Sequence, residues 1–378
     1  MTRVAGGSPS GTSRVAYFIS PHGFGHAARA ASIMAAVQDI APTVQFDIFT
    51  QVPRWFFEDS LARPCGYHDV LTDIGLVQQT SLTADLPATL QRLQGFFPLD
   101  HTLVTNLART VRTLGCELVL CDIAPLGIAV AKEAGRPAVL VENFTWDWIY
   151  AAYAEYAAQM HFYIHYLQTL FNTAAYHIQT APVCVYSRAD LITQPVSRKP
   201  TADPAHIRQR LGLSGEAKVV MITMGGIPMH YPFLQQLAAQ QAVIFIIPGA
   251  AESIQRHGNM VLLPHRTSIF HPDLINTCDA VIGKVGYSTL AEVYHAGLPF
   301  GYVTRQDFRE SPVLTAYIEQ HMSGVAITPT QFDDGSWLSR LPQLLALPRL
   351  TRQGPNGADQ AARFLCQLLP SAPVSGQQ

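Results

Sequence analysis

The chain has 378 residues, more than one hydrophobic core ordinarily serves, which predicts two domains. Apolar residues make up 48% and charged residues 14%, with a formal net charge of -2, which excludes a disordered chain, a nucleic-acid-coating surface and a basic membrane patch. The 6 cysteines show neither a CxxC pair nor the dense spacing of a disulfide scaffold, so a reducing, cytoplasmic setting is expected.

Residues 1–13 are rich in Gly, Ser and Thr without an apolar core, and read as a disordered leader rather than a signal peptide. Residues 15–20 form the first apolar strand, and Ala30, Ile33, Met34, Val37 and Ile40 then recur near helical spacing. Between them lies the turn His22-Gly23-Phe24-Gly25-His26. Further strands are expected at 44–50, 117–122, 137–142 and 190–193. The aromatic run 146–178 carries Asp147, Glu155, Gln159 and His161, so it fails as a membrane span and is expected to be a long helix or a helical pair.

The stretch 194–216 is rich in Pro, Ser, Thr and charge, has a short helical pattern at 204–211, and makes the natural linker. Strands resume at 218–223, 242–247, 260–263, 279–282, 299–303 and 325–328, and a last helix at 359–369 follows a Pro-Gly break. Alternating strands and helices predict an α/β protein with two mainly parallel sheets. The expected division is a first domain at 14–204, a second at 205–354, a helix at 355–370 able to return to the first domain, and a disordered tail at 371–378.

The turn after the first strand suits an anion, because glycines let the backbone approach a ligand and the helix start offers free N–H groups and a positive dipole end. It also satisfies G-x-G-x-x-A through Gly23, Gly25 and Ala28, the dinucleotide fingerprint. Against that reading, the acid expected some twenty residues on would be Asp47, and the strand continues past it. His26 at the helix start is a candidate to accept a proton; packing or capping is the competing role. His22 reads as structural.

The segments FISPHGFGHAAR at 18–29, NFTWDWIY at 143–150 and GKVGYSTLAE at 283–292 resemble GT-B glycosyltransferases related to the MurG and UDP-glycosyltransferase families. They are most similar to the glycosyltransferase-like N-terminal region of L-arabinokinases and bacterial relatives. The resemblance implies two Rossmann-like domains facing across a cleft, with an acceptor-side first domain and a nucleotide-sugar donor bound mainly by the second. No cofactor is implied, the nucleotide sugar being a co-substrate; a UDP-sugar is the first expectation. By the same resemblance Gly25, Gly225 and Gly226 lie near the donor phosphates, Gly286, Ser288 and Thr289 cradle them, and Glu292 takes the ribose hydroxyls. Lys284 stands where many relatives have histidine and would neutralise the diphosphate. Glu310 is the sugar-contact candidate and Arg309 an alternative phosphate partner.

Asp122 closes the strand at 117–122, and the same resemblance implies that it orients His26 as a catalytic dyad; its competing role is the N-cap of a helix at 123–134. Asn143, Trp146 and Asp147 are the acceptor-site candidates. No D-x-D pair occurs and Asp333-Asp334 reads as a solvated loop, so a metal-independent, inverting transfer to an unknown acceptor is expected. A GT-B-fold epimerase or hydrolase, and a non-catalytic nucleotide-sugar sensor, are the alternatives.

Overall fold

The structure, a computed structural model, describes residues 13–80, 83–213, 215–225, 231–305 and 307–369; the leader apart from Ser13, the tail and Gly226 lie outside them. Its first sheet contains β1 (Arg14–Ile19), β2 (Gln45–Thr50), β3 (Gly66–Asp69), β4 (Cys116–Asp122), β5 (Ala138–Glu142), β6 (Tyr176–Thr180) and β7 (Leu191–Thr193). All pairs are parallel, in the order β3-β2-β1-β4-β5-β6-β7. The second sheet contains β8 (Lys218–Thr223), β9 (Val243–Pro248), β10 (Gln255–His257), β11 (Met260–Leu263), β12 (Ala280–Lys284), β13 (Phe300–Val303) and β14 (Gly324–Ile327). Its order is β10-β11-β9-β8-β12-β13-β14, parallel except between β10 and β11.

Central strands read as unbroken apolar runs because helices cover both faces. In β1, Val15, Tyr17 and Ile19 enter one core while Ala16 and Phe18 enter the other. In each sheet the chain runs outward from a central strand and then returns to its other side, so β1 lies between β2 and β4, and β8 between β9 and β12. Such reversals open a crevice at the carboxyl ends of the strands. The turn His22–His26 and the start of the helix Tyr287–Ala296 both arise there.

Some local expectations change. The run 146–178 divides into the helices Trp146–Ala151 and Met160–Phe171, with a short 3-10 turn between them, and ends in β6. Pairing of β6 with β5 overrides the helical pattern. The strands β3, β6 and β10 were not foreseen. Asp333 and Asp334 end a short helix, Pro329–Asp334, instead of lying in a turn.

The helix Gly357–Leu368 lies against Phe24–Ile40, with Ala358, Ala361, Ala362 and Leu365 in the same core as Ala27, Ala30 and Ala31. The backbone thus crosses twice between the sheets, and the crossings are tied together. Asn356 accepts from Ser197 N at 3.3 Å and donates to Ser197 O at 2.9 Å, while Gly357 N donates to Pro195 O at 3.1 Å. Among the described residues no helix is long and apolar enough to cross a membrane.

Candidate active site

Loops at the carboxyl ends of β1, β5, β8, β12 and β13 together line a cavity of about 130 Å³ between the two sheets. On the β1 side, Gly23 takes φ 71°, the left-handed region that glycine favours, and turns the chain into the helix Phe24–Ile40. His26 falls in the first helical turn and is 7% exposed. Because β1 pairs with β4, Ile19 sits beside Asp122, and His26 Nδ1 reaches Asp122 Oδ1 at 2.8 Å.

Arg29 lies one turn farther along the same helix face and grips the same carboxylate. Its Nε donates to Asp122 Oδ2 at 2.8 Å and its Nη2 to Oδ1 at 2.5 Å. Its Nη1 donates to Asn143 Oδ1 at 2.7 Å, and Asn143 Nδ2 donates across the cleft to Glu310 Oε1 at 2.7 Å. Arginine has no acceptor atom, so the Asn143 amide must turn its oxygen to Arg29 and its nitrogen to Glu310. Tyr287 from the second domain packs its ring on Arg29, with the guanidinium carbon 4.9 Å from the ring centre. A continuous buried chain therefore joins Glu310, Asn143, Arg29, Asp122 and His26.

Burial pushes the Asp122 carboxyl up, but the Arg29 charge and the bonds from Arg29 and His26 outweigh it and hold it below its ordinary value. An ionised Asp122 is an acceptor only, which assigns the proton on His26 to Nδ1. Arg29 Nη2, 3.2 Å from Nδ1, is a donor too and makes no bond to that tautomer. Nε2 is left as the lone-pair nitrogen and makes no hydrogen bond among the described residues. The helix Pro125–Ala134 takes Ala124 as its N-cap with no side-chain bond, so Asp122 bonds His26 and Arg29 and does not cap the helix.

The opposite wall is cationic. Lys284 ends β12 without a hydrogen bond among the described residues, and burial, reinforced by Arg305, brings its amine down to about 8. Arg305 is 6% exposed, its Nε is buried without a partner among the described residues, and its guanidinium carbon lies 3.9 Å from the centre of the Phe308 ring. Gly286 precedes the helix Tyr287–Ala296, whose first turn brings Ser288 and Thr289 to the cavity. Gly225 takes φ 77°, and a Cβ there would lie 3.8 Å from Lys284 Nζ. A half-buried and a buried cation beside a helix N-terminus suit an anion.

A second cavity of about 270 Å³ shares Phe24, Gly225, Ser288 and Thr289 with the first, so the two are contiguous. Its aromatic wall is formed by Phe24, Trp55, Phe56, His265 and Phe270. Glu292 also lines it, held by Arg198 Nε at 2.9 Å and His271 Nδ1 at 3.0 Å. Each carboxylate oxygen has a further lone pair, so Glu292 can still accept from a ligand hydroxyl.

The structure thus gathers His26, Asp122, Gly25, Gly225, Lys284, Gly286, Ser288, Thr289, Glu292, Asn143 and Glu310 in or beside one cleft. Three candidates go elsewhere. Arg309 is exposed, donates to Trp148 O at 2.5 Å and lies 4.3 Å over the Trp148 ring; the cleft position falls to Arg305, four residues earlier. Asp147 faces the same outer groove as Arg309. Trp146 is buried, and its Nε1 donates to Asp73 Oδ2 at 3.1 Å, behind the turn, where His22 packs edge-on at 5.1 Å. Asp73 also accepts from Ser20 Oγ at 3.1 Å, and burial brings its carboxyl up to about 7. Asp47 is bound by Arg14 at 2.8 and 3.1 Å, which engages the acid that a dinucleotide ribose would need.

Among solved structures, the chain is similar to a UDP-glucosyltransferase from Polygonum tinctorium capable of glucosylating indoxyl, at 12% identity and TM-score 0.63, covering 96% of this chain and 99% of that one. It is also similar to MurG of Acinetobacter baumannii, at 13% identity and TM-score 0.53, covering 94% and 99%. At these identities the likeness shows the fold, which is GT-B. An L-arabinokinase of Arabidopsis thaliana is 28% identical over 356 residues, covering 93% of this chain and 34% of that protein, so the chain spans about a third of that relative's length. The sequence pattern of glycosyl transferase family 1 matches residues 13–342, which takes in every strand of both sheets, and the chain belongs to that family.

Proposed function

We propose that this glycosyltransferase moves a sugar from a nucleotide-sugar donor, with a UDP-sugar the first choice, to an acceptor hydroxyl, inverting the anomeric configuration without a metal ion. The observation that carries the reading is the buried His26–Asp122 pair facing a cavity whose opposite wall holds Lys284 and Arg305. His26 Nε2 takes the acceptor hydroxyl proton as the oxygen attacks the anomeric carbon, and Asp122 stabilises the imidazolium that results. The bond from that carbon to the diphosphate breaks, and the pair of electrons leaves with the nucleoside diphosphate. Lys284, Arg305 and the start of the helix Tyr287–Ala296 meet that charge in place of a metal ion. The aromatic wall and Glu292 suit the base and ribose.

The test is nucleoside diphosphate release, followed by mass spectrometry over a panel of nucleotide sugars with candidate acceptors, in the presence of a chelator. The expected loss in kcat for His26→Ala is about 10²–10⁴-fold with donor affinity retained. Unchanged turnover would remove His26 from the base role. Release without an acceptor would indicate hydrolysis, and donor binding without any release would indicate a sensor.

A further inference from the structure

Outside the cleft, β5 and β6 carry a second organised group of polar side chains. Leu140 pairs with His177 and Glu142 with Gln179, so strand alternation puts Glu142, His177 and Gln179 on one sheet face, opposite Val141 and Ile178. Glu142 is 3% exposed, and its Oε1 accepts from His177 Nε2 at 2.7 Å and Gln179 Nε2 at 2.8 Å. Gln179 is buried and pins the loop before β7: it donates to Val185 O at 2.8 Å and accepts from Ser187 N at 3.1 Å. Asp190 accepts from His177 N at 2.8 Å.

These side chains line a groove of about 800 Å³ whose far wall is formed by Trp148, Asp147 and Arg309. Asp147 lines it too, and its enclosed Oδ1 has no hydrogen-bond partner among the described residues. Among the described residues lining this groove, Phe144 alone also lines the cleft cavities, so it stands between the two spaces. No described residue gives the groove a metal-ligating cluster. The carboxylates Glu142, Asp147 and Asp190 oppose an anion, and Arg188 with Arg309, already over Trp148, opposes a cation. Fixed carboxylate and amide groups beside an indole suit hydroxyls on one side of a ligand and C–H bonds on another.

We propose that this groove is a saccharide-binding site distinct from the catalytic cleft, taking a neutral sugar ring. Glu142 and Asp147 accept from its hydroxyls, and the part of the Trp148 indole that Arg309 does not cover packs against its C–H bonds. The test is saturation-transfer NMR on the full chain with an equimolar mixture of glucose, galactose, mannose, arabinose and xylose. Transfer to at least one sugar is expected, about tenfold weaker in Asp147→Asn and in Glu142→Gln, each a shape-conserving change that removes a charged acceptor. The cleft variant Lys284→Met is expected to retain it, which keeps the result independent of donor binding and transfer. Absence of transfer to all five sugars, persistence in both groove variants, or loss in Lys284→Met would overturn the proposal.

Discussion

Asn143→Ala tests whether the buried chain from Glu310 to His26 holds the two domains and the dyad together. The substitution removes the nearer acceptor of Arg29 Nη1, leaving Thr180 Oγ1 at 3.4 Å, and the donor to Glu310 Oε1; both lost bonds are 2.7 Å long and lie within the interior. Hydrogen bonds to charged groups contribute about 1.5–3 kcal/mol each, and partial solvation of the enlarged space offsets part of the loss, so about 3 kcal/mol is expected. For domains of this size that corresponds to a fall of roughly 6–12 °C in melting midpoint, readable by calorimetry. Arg29 loses one of the anchors that aim it at Asp122, so kcat falls by up to about 10²-fold as the dyad loses its alignment.

Asn143→Asp separates the two bonds. It keeps an acceptor for Arg29 but sets a carboxylate against Glu310, whose own carboxyl burial already pushes above its ordinary value. A raised folded-state value means that the folded protein holds the extra proton, so stability relative to wild type is greatest in acid and is lost as pH rises through that value. A midpoint within about 1 °C of wild type for Asn143→Ala, together with no pH-dependent difference for Asn143→Asp, would refute the chain as a structural link.

Asp73 sets a second pH dependence. With its carboxyl near 7 in the fold against an ordinary 3.8, it contributes stability that is complete below about pH 4 and lost as pH rises through 7, roughly 4 kcal/mol in all. Urea melts of wild type and Asp73→Asn, which keeps partners for Ser20 and Trp146, are expected to diverge by that amount between pH 4 and 8; parallel curves would contradict it. Lys284, with its amine near 8, loses charge between pH 7 and 9. UDP affinity measured by calorimetry is expected to fall over that interval in wild type and to be weaker but pH-flat in Lys284→Met. A wild-type affinity as flat as that of the variant would remove Lys284 from the diphosphate site.

The central strands were legible because burial on both faces makes them continuous apolar runs: 218–223 coincides with β8, and 15–20 differs from β1 by a residue at each end. The short edge strands were not. β3 reads Gly-Tyr-His-Asp and β10 reads Gln-Arg-His, polar segments that become strands only because a neighbour offers backbone partners. The same division holds in the site. His26 and Lys284 stand out in local motifs, whereas the contact of His26 with Asp122, expected from the family resemblance, rests on β1 and β4 being neighbours, which chain order alone does not state. Arg29 was missed although its signal was present, since three residues after His26 on a helix is the same face. Between Arg305 and Arg309 nothing local decides; only the loop's path after β13 turns the first inward and the second onto Trp148.

The double crossing has a mechanical consequence. Since the chain leaves the first domain after β7 and returns as the helix Gly357–Leu368, the second domain is an insertion carried on two adjacent strands of backbone. Bonds between Asn356 and Ser197 and between Gly357 and Pro195 clamp those strands side by side. A single tether would let the insertion swivel freely, while two tethers fastened together act as one pivot. Any opening of the cleft would have to turn about that clamp and break the Asn143–Glu310 bond, and a return about the same pivot would bring the two back into register.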